Sequence, residues 1–148
     1  MIIDTARLGT IEYEESGVIT FAQGIPGFKA YKKYIIIEIE ESPFMYMQSV
    51  EAGDVSFVVA SPFDFYQQYE FEVPPLVKKE LQLHDENAVK VVNIVSIRGE
   101  LSTATINLVA PIIINSDNNT GVQHILSDGQ YLIRQPLFST TDREEGGE

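Results

Sequence analysis

The chain has 148 residues, no cysteine, 44% hydrophobic residues and a formal charge of -12. That is enough length for one domain with a real hydrophobic core, and the missing cysteine excludes disulfide frameworks and thiolate zinc sites. An acidic surface of this size repels nucleic-acid phosphates and attracts basic partners.

From the N-terminus, Asp4 and Arg7 stand where a signal peptide needs an apolar stretch, so no export signal is expected. The longest apolar run, "NLVAPIII", is broken by Pro111 and falls short of the ~18 residues of a membrane helix. The chain reads as soluble and cytoplasmic. "TIEYEESGVITF" alternates Ile11 and Tyr13 with Glu12 and Glu14, turns at Ser16-Gly17, then alternates through Ile19 and Phe21. This predicts a hairpin with one polar face. "TFAQGIPGFKAY" follows, with two glycines around a proline. A phosphate loop needs converging backbone N–H groups at a helix start. Here Pro26 removes a donor, and the flanking pattern is not strand–loop–helix. The stretch predicts a type II turn, with Pro26 at i+1, Gly27 at i+2, and Phe21 and Phe28 as anchors.

"YIIIEIE" puts Ile35, Ile37 and Ile39 on one strand face, and the turn "EAGD" joins the strands "FMYMQSV" and "SFVVAS". "SPFDFYQQYEF" is either a helical turn or an exposed loop. "VPPLVKKELQLHDEN" predicts the one helix, with Pro74 and Pro75 at its start and Leu76, Val77, Leu81 and Leu83 near one stripe. "VKVVNIVSI" and "LSTATINLVA" flank a reversal at Arg98-Gly99-Glu100, with Ala104, Ile106 and Leu108 facing one way. "PIIIN", "VQHIL" and "QYLIR" complete the strands. Val91, Val92, Ile94 and Val95 make one strand apolar on both faces, so it is expected to be covered twice.

The fold expected is mainly β: a single-domain antiparallel β-barrel-like fold of many short strands with one short helix. Closure also hides strand edges. The domain spans residues 1–140, and the acidic tail 141–148, "TDREEGGE", is expected to be disordered.

Catalytic groups are scarce. His84 follows the helix and is expected to interact with its C-terminus, and His124 lies in a short strand. Their spacing matches no metal motif, and no serine sits in a nucleophile elbow. No catalytic, cofactor or metal site is expected, and the chain does not read as an enzyme. The alternative is a sugar-binding or hydrolytic β-barrel using carboxylates that lie far apart in sequence.

The densest aromatic segment is "PFDFYQQYEF". A partner-binding surface is expected over Asp64, Phe65, Tyr66, Tyr69, Glu70, Phe71 and Glu72, with Tyr66, Tyr69 and Phe71 as apolar anchors and Asp64, Glu70 and Glu72 as charge partners. The competing reading buries the rings in the core. No basic residue is interleaved with them, which argues against single-stranded nucleic acid.

Six stretches together carry a family resemblance: "FAQGIPGF", "FVVASPFDFYQQY", "NIVSI", "TINLVAPIIIN", "GVQHIL" and "YLIRQPL". In this order and spacing, from about Leu8 to Phe138, the chain resembles the FliW family of flagellar assembly factors. One departure is the turn Asn118-Asn119-Thr120, where the family often has a basic residue. The resemblance implies a cytoplasmic, non-enzymatic β-rich protein with two protein partners, flagellin and the carbon storage regulator CsrA, and with no direct nucleic acid or membrane contact. CsrA is a dimeric repressor of flagellin translation. The resemblance implies that flagellin accumulating in the cytoplasm occupies the protein, and that flagellin export frees it to bind CsrA and lift the repression.

Overall fold

The computed structural model describes residues 1–84, 89–127 and 129–138, so the tail 141–148 lies outside the described residues. Its frame is an antiparallel meander of β4 (Lys33–Glu38), β5 (Phe44–Ser49), β6 (Ser56–Ala60) and β7 (Val89–Ser96). The "EAGD" turn joins β5 to β6 as expected. β7 then pairs with β9 (Ile112–Asn115), β9 with β10 (Thr120–Gln123), and β10 with the short β3 (Ile19–Thr20), which returns to β4. Seven strands thus close a barrel. Every seam is antiparallel except β10–β3, where Thr120 meets Thr20 in parallel. At that seam Gly121 lies against the Phe21 ring, and a Cβ there would stand 2.6 Å from it, so only glycine fits.

Alternation sends Tyr34, Met47, Val59, Val92, Ile112 and Ile114 into the interior, where they are fully buried with Phe21 and Ile25. Ile35 and Ile37 do share a face, but it is the outer one. A second apolar cluster lies outside the barrel, over Phe44, Ala60 and Val95. It is roofed by the aromatic segment after β6 and by the C-terminal stretch, with Ala104, Ile106 and Leu108 buried beneath as expected. The double cover predicted for β7 is therefore present at Val92 and Val95, whereas Val91 and Ile94 are only half-buried.

Several local expectations change. Ile11 and Ile19 do not share a hairpin. β2 (Gly9–Glu12) pairs with β1 (Ile2–Thr5) in a separate two-stranded sheet, and a 3-10 turn at Glu15–Gly17 sends the chain on to the barrel. The predicted alternation was real, but its first arm found a partner at the N-terminus. Leu101–Thr103 is a 3-10 turn, leaving β8 (Thr105–Ile106) as a two-residue strand on β7. "QYLIR" is not a strand. The last pairing is β11 (Gln135–Pro136) on β8, just beyond it.

The corner "GIPGF" is the predicted turn. The Phe28 N–H donates to the Ile25 C=O at 2.7 Å, and Gly27 holds φ +87°. Phe21 is an interior anchor, whereas Phe28 is 41% exposed and rests edge-on against Phe57.

The helix α1 (Pro75–Leu81) begins on Pro75 and ends at Gln82 in the left-handed region. Its stripe is narrower than predicted: Leu81 is buried, Val77 half-buried, and Leu76 is 80% exposed. A seven-residue helix shows the sheet about one turn of apolar surface, and Leu76 faces away from it. His84 does not bond the last carbonyls. Asn115 and Asn118 donate to the Leu81 C=O at 2.8 and 3.1 Å instead.

Candidate partner-binding site

The segment after β6 starts as a 3-10 turn at Pro62–Asp64. The Tyr66 N–H donates to the Pro62 C=O at 2.8 Å, and the Tyr69 N–H to the Tyr66 C=O at 3.0 Å. Two successive turns therefore swing the aromatic rings over the outer face of the barrel. Phe65 stacks on Phe44 at 6.0 Å and meets Phe138 edge-on. The Tyr66 hydroxyl donates to the Pro136 C=O and accepts from Gln135 Nε2. Tyr69 is 4% exposed. Its hydroxyl donates to the Leu108 C=O at 2.8 Å, and its ring meets Tyr131 edge-on at 4.7 Å. The Tyr131 hydroxyl in turn donates to the Glu70 C=O and accepts the Glu70 N–H.

The predicted residues thus divide. Tyr69 is a core residue, so the proposed role of its ring as an exposed anchor does not fit its position. Phe65 and Tyr66 are half-buried parts of the clasp between the segment and the C-terminal stretch. Phe71 is half-buried, and Asp64, Glu70 and Glu72 are exposed. The three carboxylates do not form one rim. Asp64 lies at a notch with Glu38, Glu40 and Glu41. Glu70 and Glu72 lie around Phe71, at a cleft that also takes in Pro75 and His124.

On the other side of Phe71 and Glu72 the surface drops into a second cleft of about 860 Å³. Phe63, Val73, Leu83, Val89 and Val91 supply its apolar lining, and Glu72, Lys78 and His84 line it with polar groups. Sequence reasoning missed the β7 side of this cleft. The available signal was Pro62, which marks where β6 must stop. Among the described residues no group of His, Asp and Glu has metal-binding geometry. The barrel interior holds packed side chains where a ligand cavity would have to be.

Comparison with known proteins agrees with this architecture. The family model described as FliW protein matches residues 2–137. The flagellar assembly factor FliW of Caldicellulosiruptor bescii is 36% identical over 97% of this chain and 95% of its own length. That of Caldanaerobacter subterraneus subsp. tengcongensis is 42% identical over 93% of both. A crystal structure of the flagellar assembly factor FliW superposes with a TM-score of 0.89 at 33% identity, covering 94% of this chain and 98% of that one. The match runs from β1 through β11, barrel and aromatic roof together, and the chain belongs to the FliW family of flagellar assembly factors.

Proposed function

We propose that this protein is a cytoplasmic, non-catalytic regulator that binds flagellin before export and, when free of it, binds CsrA and lifts its repression of flagellin synthesis. The observation that carries this reading is family membership over the whole described fold. The charge of -12 supports it, because an acidic body favours docking on a basic RNA-binding protein and repels RNA nearby. The filled barrel interior gives no support to a hydrolytic or sugar-binding barrel. Exposed Glu70 and Glu72 are the charge partners best placed for a basic surface, with Phe71 between them.

The test is a pull-down with separately purified CsrA and flagellin at increasing salt. Capture of both is expected, with CsrA binding falling as salt screens the charges. Capture of neither ends the reading. RNA titrated into a preformed CsrA complex then distinguishes direct competition, where RNA displaces the protein fully, from electrostatic antagonism.

A further inference from the structure

β7 is paired unequally along its two edges. Toward β8 and β9 it is paired at Val89 to Val92 and again at Val95 and Ser96. Toward β6 it is paired only at Asn93, Ile94 and Val95. Extending that register two residues places Pro62 opposite Val91. Pro62 has no N–H to give and starts the 3-10 turn that carries the chain away.

Two hydrogen bonds fix which way the β7 backbone points. The Asn107 N–H donates to the Ile94 C=O at 2.9 Å, so Ile94 turns its polar groups toward β8. The His124 N–H donates to the Pro111 C=O at 2.9 Å, which directs the odd residues of β9 to β10. Ile112 and Ile114 then bond toward β7, opposite Val92 and Lys90. Strand alternation leaves the N–H and C=O groups of Val89 and Val91 aimed at the edge that β6 has vacated. Among the described residues nothing bonds them there. Val89 and Val91 line the cleft together with Phe71, Glu72 and Val73, a stretch that likewise forms no hydrogen bond among the described residues.

We propose that this edge of β7 receives an extended peptide strand from a protein partner, with apolar side chains at alternate positions and a Lys or Arg where it passes Glu70 and Glu72. An unpaired strand edge is a template for such addition, with main-chain bonds giving affinity and side-chain pockets giving selectivity. The strand's main chain pairs with Val89 and Val91, and its apolar side chains rest on Phe63, Phe71 and Leu83. Among the described residues neither Glu70 nor Glu72 forms an ion pair, so both are free to meet the cation. A helix in the same cleft leaves the Val89 and Val91 groups unbonded. A second copy brings the same -12 charge against itself. The inference shares the Glu70–Glu72 segment with the functional reading and needs nothing else from it.

The test uses the full-length chain. In the free protein, amide hydrogen exchange at Val89 and Val91 is expected to be roughly 100-fold faster than at Val92 and Ile94. Linear peptides selected from a displayed random library against the chain should then carry alternating apolar residues and a cation. They should slow exchange at Val89 and Val91 about tenfold, and lose about tenfold in affinity on Glu72→Lys. A Val91 amide already protected in the free chain overturns the proposal. So does a library that yields no binder, or binders indifferent to Glu72→Lys that leave both amides unprotected. Protection that grows with protein concentration alone assigns the edge to self-association and also overturns it. A chain that passes this test but captures neither flagellin nor CsrA ends the functional reading alone, and the converse result ends this inference alone.

Discussion

The two halves of β7 belong to one continuous strand and meet opposite fates. From Asn93 to Ser96 the strand is flanked by β6 and β8, and its outer face lies under Tyr69 and Leu137. From Val89 to Val92 it has one partner strand, and its outer face looks into an open cleft. Both halves carry β-branched residues, Val89, Val91 and Val92 in one and Ile94 and Val95 in the other, so propensity alone does not set their fates. What separates them is the neighbouring chain. Ala60 ends β6, Pro62 turns away, and Tyr69 packs with the C-terminal half while Phe63 and Phe71 line the cleft beside the other. Stability is therefore expected to concentrate in the covered half and binding in the open one.

The covered half breaks most easily at Tyr69. Its ring touches Phe63, Phe71 and Tyr131, and its hydroxyl holds the Leu108 carbonyl. Tyr69→Ala is expected to cost about 3–5 kcal/mol in urea unfolding, the range for deleting a buried aromatic. Tyr69→Phe keeps the ring and strands the Leu108 carbonyl, for about 1–3 kcal/mol. Asn93 still donates to the Asn107 C=O in that variant, which limits the damage. A loss below about 0.5 kcal/mol for Tyr69→Ala would mean that the roof is not a core at all.

How much of this was legible in the sequence follows from the same division. The barrel strands were readable because alternation and turn chemistry act locally: "EAGD" and "GIPGF" formed the turns their residues dictate. Pairings between distant segments were not readable. Ile11 alternates correctly, yet its partner is Ile3 rather than a residue across the Ser16-Gly17 turn. Leu76 belongs to an apolar pattern that a seven-residue helix is too short to bury. In the aromatic segment the residue types pointed to a special surface, but ring burial depends on the C-terminal stretch some sixty residues later. Tyr66 and Tyr69 are fixed by Pro136 and Tyr131, and no local pattern announces either contact. The open edge of β7 is a property of register, and register is visible only once Ala60 is seen opposite Asn93.

The barrel interior is common to both halves of β7, so perturbing it should move them together. Tyr34 is fully buried, its hydroxyl has no hydrogen-bond partner among the described residues, and burial, with the Glu51 charge and Tyr31, pushes its pKa from 10.0 to about 12. The folded state thus holds the proton more tightly than the unfolded state. That contribution is fully present below pH 10 and is lost as pH rises through the window from 10 to about 12. Tyr34→Phe removes an unbonded buried hydroxyl, so stability at pH 7 should hold or rise. The alkaline loss between pH 10 and 12 should flatten in that variant. An unchanged alkaline transition assigns it to other tyrosines.

The smallest effect on stability is expected at the open half. Glu70 projects an exposed carboxylate beside the cleft, and among the described residues only its main chain is held, by Tyr131. Glu70→Lys should therefore change unfolding free energy by less than about 0.5 kcal/mol, as for surface sites outside a network. The same substitution should weaken CsrA capture and reduce its salt dependence, because a repulsive charge replaces an attractive one at the rim. The two measurements sharpen the contrast only when made on one variant. A stable Glu70→Lys protein with unchanged affinity removes this rim from the CsrA surface. A destabilised one shows that the open half also carries the fold, and the division of labour along β7 fails.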